Sequence, residues 1–275
     1  MKKRVFSLFM ALALCLSMLP AAAMADESEE PVQEENGTST QSGETHEHYL
    51  CSGDECTKVG HSETDKTTFT AWTDAEAAKQ YQNSGKTAAN SLPKSLPLSE
   101  YYYLTTDVTL DNTWNPPIGL TLCLNGHSIT MKDNKSVISV SSRFTLVDCK
   151  GGKQDAEYGK ITHTSGSEGH GVELTGGTFN MYGGNITKND ADNNGGGVYM
   201  TGSCNFNMYG GQITGNTVNK AANNVYLPSG KTIAIGGLTG DADIGVTTAQ
   251  KPTDKKHVTI VSNAGTMSYK FAHNS

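Results

Sequence analysis

The phrase FNMYGGNITKN (Phe179–Asn189) returns almost unchanged as FNMYGGQITGN (Phe206–Asn216), 27 positions later. Matching residues recur in step. Phe179 aligns with Phe206, Met181 with Met208 and Ile186 with Ile213, and a further 27 residues lead to Ile233 and Ile235. Upstream, RFTLVD supplies Phe144 and Leu146, and LTLCLNGHSIT supplies Leu122, Leu124 and Ile129. A second series runs through GVEL, GVYM and NVYL, with Val172/Leu174, Val198/Met200 and Val225/Leu227 as its inward candidates. Positions that keep register together define a repeat, and a repeat of this length means that each unit stacks on its neighbours.

Within a unit the apolar residues alternate, Phe179 and Met181 on one side, Asn180 and Tyr182 on the other. Period two is the signature of a strand whose faces see different environments. The strands are short and bounded by Gly, Asn, Asp or Ser, which accept tight corners. Three such strands per unit of 20 to 27 residues predict an all-β, right-handed parallel β-helix. One coil cannot bury its inner row alone, whereas stacked coils place Phe on Phe and Ile on Ile about 4.8 Å apart.

On these residues the chain resembles known proteins. GGGVYMTGSCNFNMYGGQITGN is similar to the repeats of bacterial surface β-helix proteins of the adhesin-like and polymorphic-outer-membrane-protein-like kinds. YYLTTDVTLDNTW…LTLCLNGHSIT (Tyr102–Thr130) resembles the first coil of large exported proteins of Gram-positive gut bacteria, and GLTGDADIGV resembles the stretch after their repeats. The resemblance spans about Tyr102 to Val261. It implies fold and location and carries no catalytic residue.

The flanks give the expected organisation. Lys2, Lys3 and Arg4, then an apolar run to Pro20 and AAAMA, read as a signal peptide over 1–25 with cleavage before Asp26. Residues 26–45 are acidic and nearly free of apolar side chains, a disordered leader. A Cys/His-containing segment covers 46–66. A capping segment covers 67–100, with a short helix at Asp74–Ser84 stopped by the prolines of SLPKSLPLS. The β-helix covers 101–261 and a tail 262–275. Past the signal no apolar stretch approaches the ~20 residues of a membrane helix. The net charge of −7 and the lack of a basic cluster argue against nucleic acid as a partner. The mature chain is therefore expected to be secreted or displayed on a bacterial cell surface.

Two places could carry a ligand. HEHYLCSGDECTKVGH gathers His48, Cys51, Cys56 and His61, two imidazoles and two thiols of the kind that complete a tetrahedral structural zinc site. The same cysteines, in an exported protein, also suit a Cys51–Cys56 disulfide, and both readings stay open. On the repeats, Asn180, Tyr182, Asn207 and Tyr209 form an outward amide and aromatic stripe of the sort that lies against a sugar chain, although stacked like residues also stabilise a sheet. The function expected is a non-catalytic adhesion, glycan- or host-surface-binding or stalk module. The alternative is a pectinase-like lyase or hydrolase. It would require carboxylates facing one another across a rung, and Asp148, Asp190, Asp192, Asp241 and Asp243 supply no pair at matching positions. The loop around Asp190 and Asp192 could form a calcium site, but a solvated turn is the reading preferred.

Overall fold

The alternation read from the repeat becomes a set of parallel ladders. A computed structural model describes residues 46–49, 66–82, 84–96, 100–149, 157–236, 238, 242–262 and 272–273. Among these, the chain passes from a strand of a first sheet to one of a second and then of a third, and returns to the first one coil further on. The first sheet runs Lys66–Trp72, Tyr101–Leu104, Thr121–Cys123, Arg143–Val147, Gly177–Met181, Cys204–Met208, Ile233–Ile235 and Val261–Ser262, each parallel to its neighbour. At its start His46–Tyr49 adds an antiparallel strand. The second ladder carries Val108, Ile129, Ile161, Ile186, Ile213 and Ile244 in register. The third carries Ile138, Val172, Val198, Val225 and Val246. One strand, Asp243–Thr248, pairs with both, so the two ladders fuse at that coil. Long parallel sheets of short strands, visited in fixed rotation, fit a parallel β-helix.

The inner face of the strands is largely apolar. Phe179 pairs with Phe206 and with Phe144, and the rings stack at 5.4 and 5.8 Å with interplanar angles of 11° and 7°. Trp114 meets Phe144 edge-on at 5.5 Å. All of these are buried, as are Met181, Met208, Ile186 and Ile213. Burying each such side chain contributes roughly 1.5–3 kcal/mol. Stacking shares the cost of ordering them, because every coil is the template for the next.

The repeated polar letters also have an explanation. The second Gly of each YGG, Gly184 and Gly211, has φ of 89° and 82°, and a Cβ on Gly211 would come within 2.7 Å of the Gly184 carbonyl oxygen. Only glycine turns that corner with coils so close. The Asn that ends each phrase points inward. Asn189 Nδ2 donates to Asn216 Oδ1 at 2.9 Å and Asn216 Nδ2 to Asn224 Oδ1 at 3.0 Å, while both also donate to backbone carbonyls. One coil earlier, His163 takes the position, with its Nδ1 2.7 Å from Asn189 Oδ1 and its Nε2 2.8 Å from the Lys135 carbonyl. The Ile161 and Ile186 carbonyls also accept from the Thr187 and Thr214 N–H groups, so these amides add a second donor at each corner.

Coil length varies more than the sequence reading allows. Asp107 is 21 residues from its neighbour Ser128, and Asn180 is 27 from Asn207, but Thr145 is 35 from Asn180. The extra residues of the long coil fall between Arg143–Val147 and Lys160–His163, and the flanking strands keep their register.

Before the first full coil, a helix spans Asp74–Tyr81. It ends three residues short of Ser84, where Gln82 turns left-handed (φ 50°). Thr73 caps it by accepting from the Glu76 N–H at 3.4 Å, while Asp74 Oδ1 instead accepts from the Ala88 N–H at 2.8 Å. The proline-containing segment that follows lies along the core, because Trp72 Nε1 donates to the Ser91 carbonyl and Trp114 Nε1 to the Pro93 carbonyl, both at 2.9 Å. Among the described residues, no helix is long and apolar enough to cross a membrane.

Candidate functional site

The outward side of the first sheet holds the stripe anticipated from sequence. Asn180 lies directly beside Asn207 on neighbouring strands, and the Asn207 amide donates to Asn180 Oδ1 at 2.8 Å. Asn180 in turn donates to Thr145 Oγ1 at 3.2 Å, so three coils share one line of hydrogen bonds. Just past the strand ends, the Tyr182 and Tyr209 rings stack with centroids 4.4 Å apart and planes 11° apart. The backbone N–H of each donates to a carbonyl one coil earlier, Leu146 and Met181 respectively, which fixes their spacing. All four residues are half-buried. Because the two rings cover each other's facing sides, the pair offers edges and a row of amides more than open aromatic faces.

The same side of the sheet changes character towards its start. Phe69, Cys123 and Val147 are buried there, and Tyr101, Tyr103, Cys149 and Tyr182 pack against them. Tyr182 thus belongs to both halves. Phe69 and Tyr101 meet edge-on at 5.4 Å. Between Tyr101 and Tyr103, Tyr102 points the other way, fully buried against Trp72.

A second aromatic row was not singled out from sequence. On the outward side of the third ladder, Tyr199 pairs with Tyr226 (centroids 6.1 Å), and His170 lies 4.7 Å from Tyr199. Glu173, on the strand paired with that of Tyr199, accepts from Ser136 Oγ at 3.1 Å. Its signal was the alternation of GVYM and NVYL, read only for the inward residues. His170 is buried. Its Nδ1 donates to the Gly195 carbonyl at 2.9 Å, and burial pushes its pKa below the ordinary histidine value.

The carboxylates that a pectinase-like reading would use are held apart. Asp148 accepts from the Gly126 and Gly159 N–H groups at 2.9 and 2.6 Å, tying three corners. Asp190 faces Thr217 across its rung and accepts from Thr217 Oγ1 at 2.7 Å. It also pairs with Lys220; burial raises the Asp190 pKa, but these donors outweigh it and hold the carboxyl below its usual range. Asp192 is exposed, and Asp243 stands opposite Gln212. Asp241 lies outside the described residues. His127 is 3.4 Å from Asp107 at an exposed corner.

Of the suggested metal ligands, His48 stands on the strand His46–Tyr49 opposite Thr67. Cys51, Cys56 and His61 lie outside the described residues. Among the described residues, no group of three or more His, Cys, Asp or Glu side chains could hold a metal ion. A cleft of about 220 Å³ near the last coils is lined by Lys231, Thr232, Gln250 and His257 among others, and Lys231 Nζ is engaged with the Cys204 carbonyl at 3.1 Å.

Comparison with protein-family models, with curated proteins and with solved structures found no match.

Proposed function

We propose that this chain is an exported bacterial surface or secreted module, a right-handed parallel β-helix that binds a glycan or host surface without chemical turnover. The observation that carries the reading is the in-register outward row: Asn180 hydrogen-bonded to Asn207 and Tyr182 stacked on Tyr209, repeated at coil spacing. An extended polysaccharide presents hydroxyls at a regular interval, and a row of amides and phenol edges at a fixed spacing matches such a ligand in kind. Among the described residues, Asp148 and Asp190 are each engaged by other groups, and no two of the candidate Asp residues face one another across a rung as glycosidic cleavage would need. The signal-peptide pattern at residues 1–25 supports export, and the helix with its following segment supports a capping role over the first coil.

A glycan-array screen of the full chain tests the proposal, run beside the Tyr182→Ala/Tyr209→Ala double variant. Retained circular dichroism with lost glycan binding supports it. Release of reducing ends or unsaturated sugars from a polysaccharide panel would replace it with the lyase or hydrolase reading.

A further inference from the structure

Cys123 and Cys149 share one pocket on the outward side of the first sheet, on adjacent coils. Cys123 is fully buried and sits beside Val147 in the strand pairing, and Cys149 packs against the same Phe69–Cys123–Val147 cluster. A single residue bridges them: the Asn125 N–H donates to Cys123 Sγ at 3.2 Å, and Cys149 Sγ donates to Asn125 Oδ1 at 3.5 Å. The surrounding corner is held independently of either thiol. Asn125 and Gly126 make a left-handed turn (φ 53° and 79°), Asn125 Nδ2 donates to the Leu104 carbonyl at 3.0 Å, and Asp148 accepts from Gly126 and Gly159. Cys204, by contrast, belongs to the inner core and pairs with Gly177, so it is excluded from this pocket.

We infer that Cys123 and Cys149 are a disulfide-forming pair that staples the second coil to the third in the exported protein. The inference rests on the exported compartment proposed above, where protein disulfides persist. It also accounts for an odd number of cysteines past the signal segment: two in the 46–66 segment, two here, and Cys204 buried alone. The step is a thiol–disulfide exchange. Cys149, the more exposed sulfur, loses its proton and attacks a disulfide oxidant, an oxidoreductase or low-molecular-weight disulfide, releasing one thiol. Cys123 then gives up its proton and displaces the second thiol, so two protein thiols and one oxidant disulfide become one protein disulfide and two oxidant thiols. Burial pushes the Cys123 thiol pKa up, which makes this second displacement slow in the folded state and favours closure while the coil assembles. The bond links two coils whose strands are already paired, with Cys149 two residues past the end of the second strand, so it constrains the unfolded chain.

The test refolds the full chain in a glutathione redox buffer, alkylates remaining thiols after denaturation, and maps tryptic peptides without reduction. The expected product joins Phe144–Lys150 to Ser95–Lys132, lighter than their sum by two hydrogens, and Cys204→Ser leaves it unchanged. Reduction should lower the melting temperature of the parent by several degrees and leave that of Cys149→Ser unmoved. Full alkylation of both Cys123 and Cys149 after refolding, or pairing of either with Cys204, overturns the inference. A second arm separates the compartment from the pair. If the redox buffer closes the bond but the source cell holds the chain only in its cytoplasmic fraction, with both thiols reduced, the pair stands and the exported compartment fails.

Discussion

The outward side of the first sheet is two surfaces built on one backbone. At its start Phe69, Cys123 and Val147 are buried under Tyr101 and Tyr103. Further along, the equivalent positions are Asn180, Tyr182, Asn207 and Tyr209, half-buried and bonded to one another. Strand geometry is the same in both halves, and the pleat decides only which side a residue faces. What the outward position holds depends on what lies over it. The first half therefore behaves as a small second core, and the second as a surface whose residues satisfy each other while meeting solvent.

The sharpest way to break this contrast is a charge. Val147→Asp should cost at least about 3 kcal/mol, because it buries a carboxylate with no partner, whereas Asn207→Asp at the open half should cost under about 1 kcal/mol. Urea unfolding of both variants measures the difference, and equal losses would erase the distinction. Next in size is the inner amide ladder set against the outer one. Asn216→Ala removes donors to the Ile186 carbonyl and to Asn224 in a dry corner, and is expected to cost roughly 2–3 kcal/mol. Asn207→Ala, losing a half-exposed bond, should cost about 0.5–1 kcal/mol, so the ratio of the two reports how dry each row is. Tyr209→Ala comes third, with about 0.5–1.5 kcal/mol of ring stacking lost. Glycan affinity, measured on the same variant by calorimetry, should fall far more than its stability does.

The smallest effect is one of sign. His170 is held neutral by burial; the Gly195 carbonyl, Glu173 and Asp192 act to raise its pKa and His163 to lower it further. Its folded pKa is depressed, so its contribution to stability is complete above the unfolded value of about 6.5. That contribution declines as pH falls through that value towards the folded one. Melting temperature followed from pH 7.5 to 4.5 should show a slope that is shallower in His170→Gln.

The parallel stacking was legible because Phe179/Phe206, Met181/Met208 and Ile186/Ile213 repeat at one interval, and the structure pairs them in that register. The outward stripe was legible for the same reason, since alternation places Asn180 and Tyr182 opposite the core. The 35-residue coil was not, because an insertion between strands leaves no periodic trace. Nor was the grouping of Cys123 with Cys149. In the strand pairing Cys123 stands beside Val147, not Cys149, and it is the corner at Asn125 that both cysteines contact. The helix was anticipated from its composition and start, but its end was set at Ser84, whereas the left-handed Gln82 closes it after Tyr81.

Residue order alone decided that successive turns of chain lie side by side, since an alternating row recurring at a constant distance can hide its apolar half only against its own copies. Which outward rows are dry, which carbonyls the inward asparagines reach and which cysteines meet were decided by the assembled coils. Those outcomes depend on contacts between residues whose spacing varies from coil to coil, and such contacts exist only once the coils are stacked.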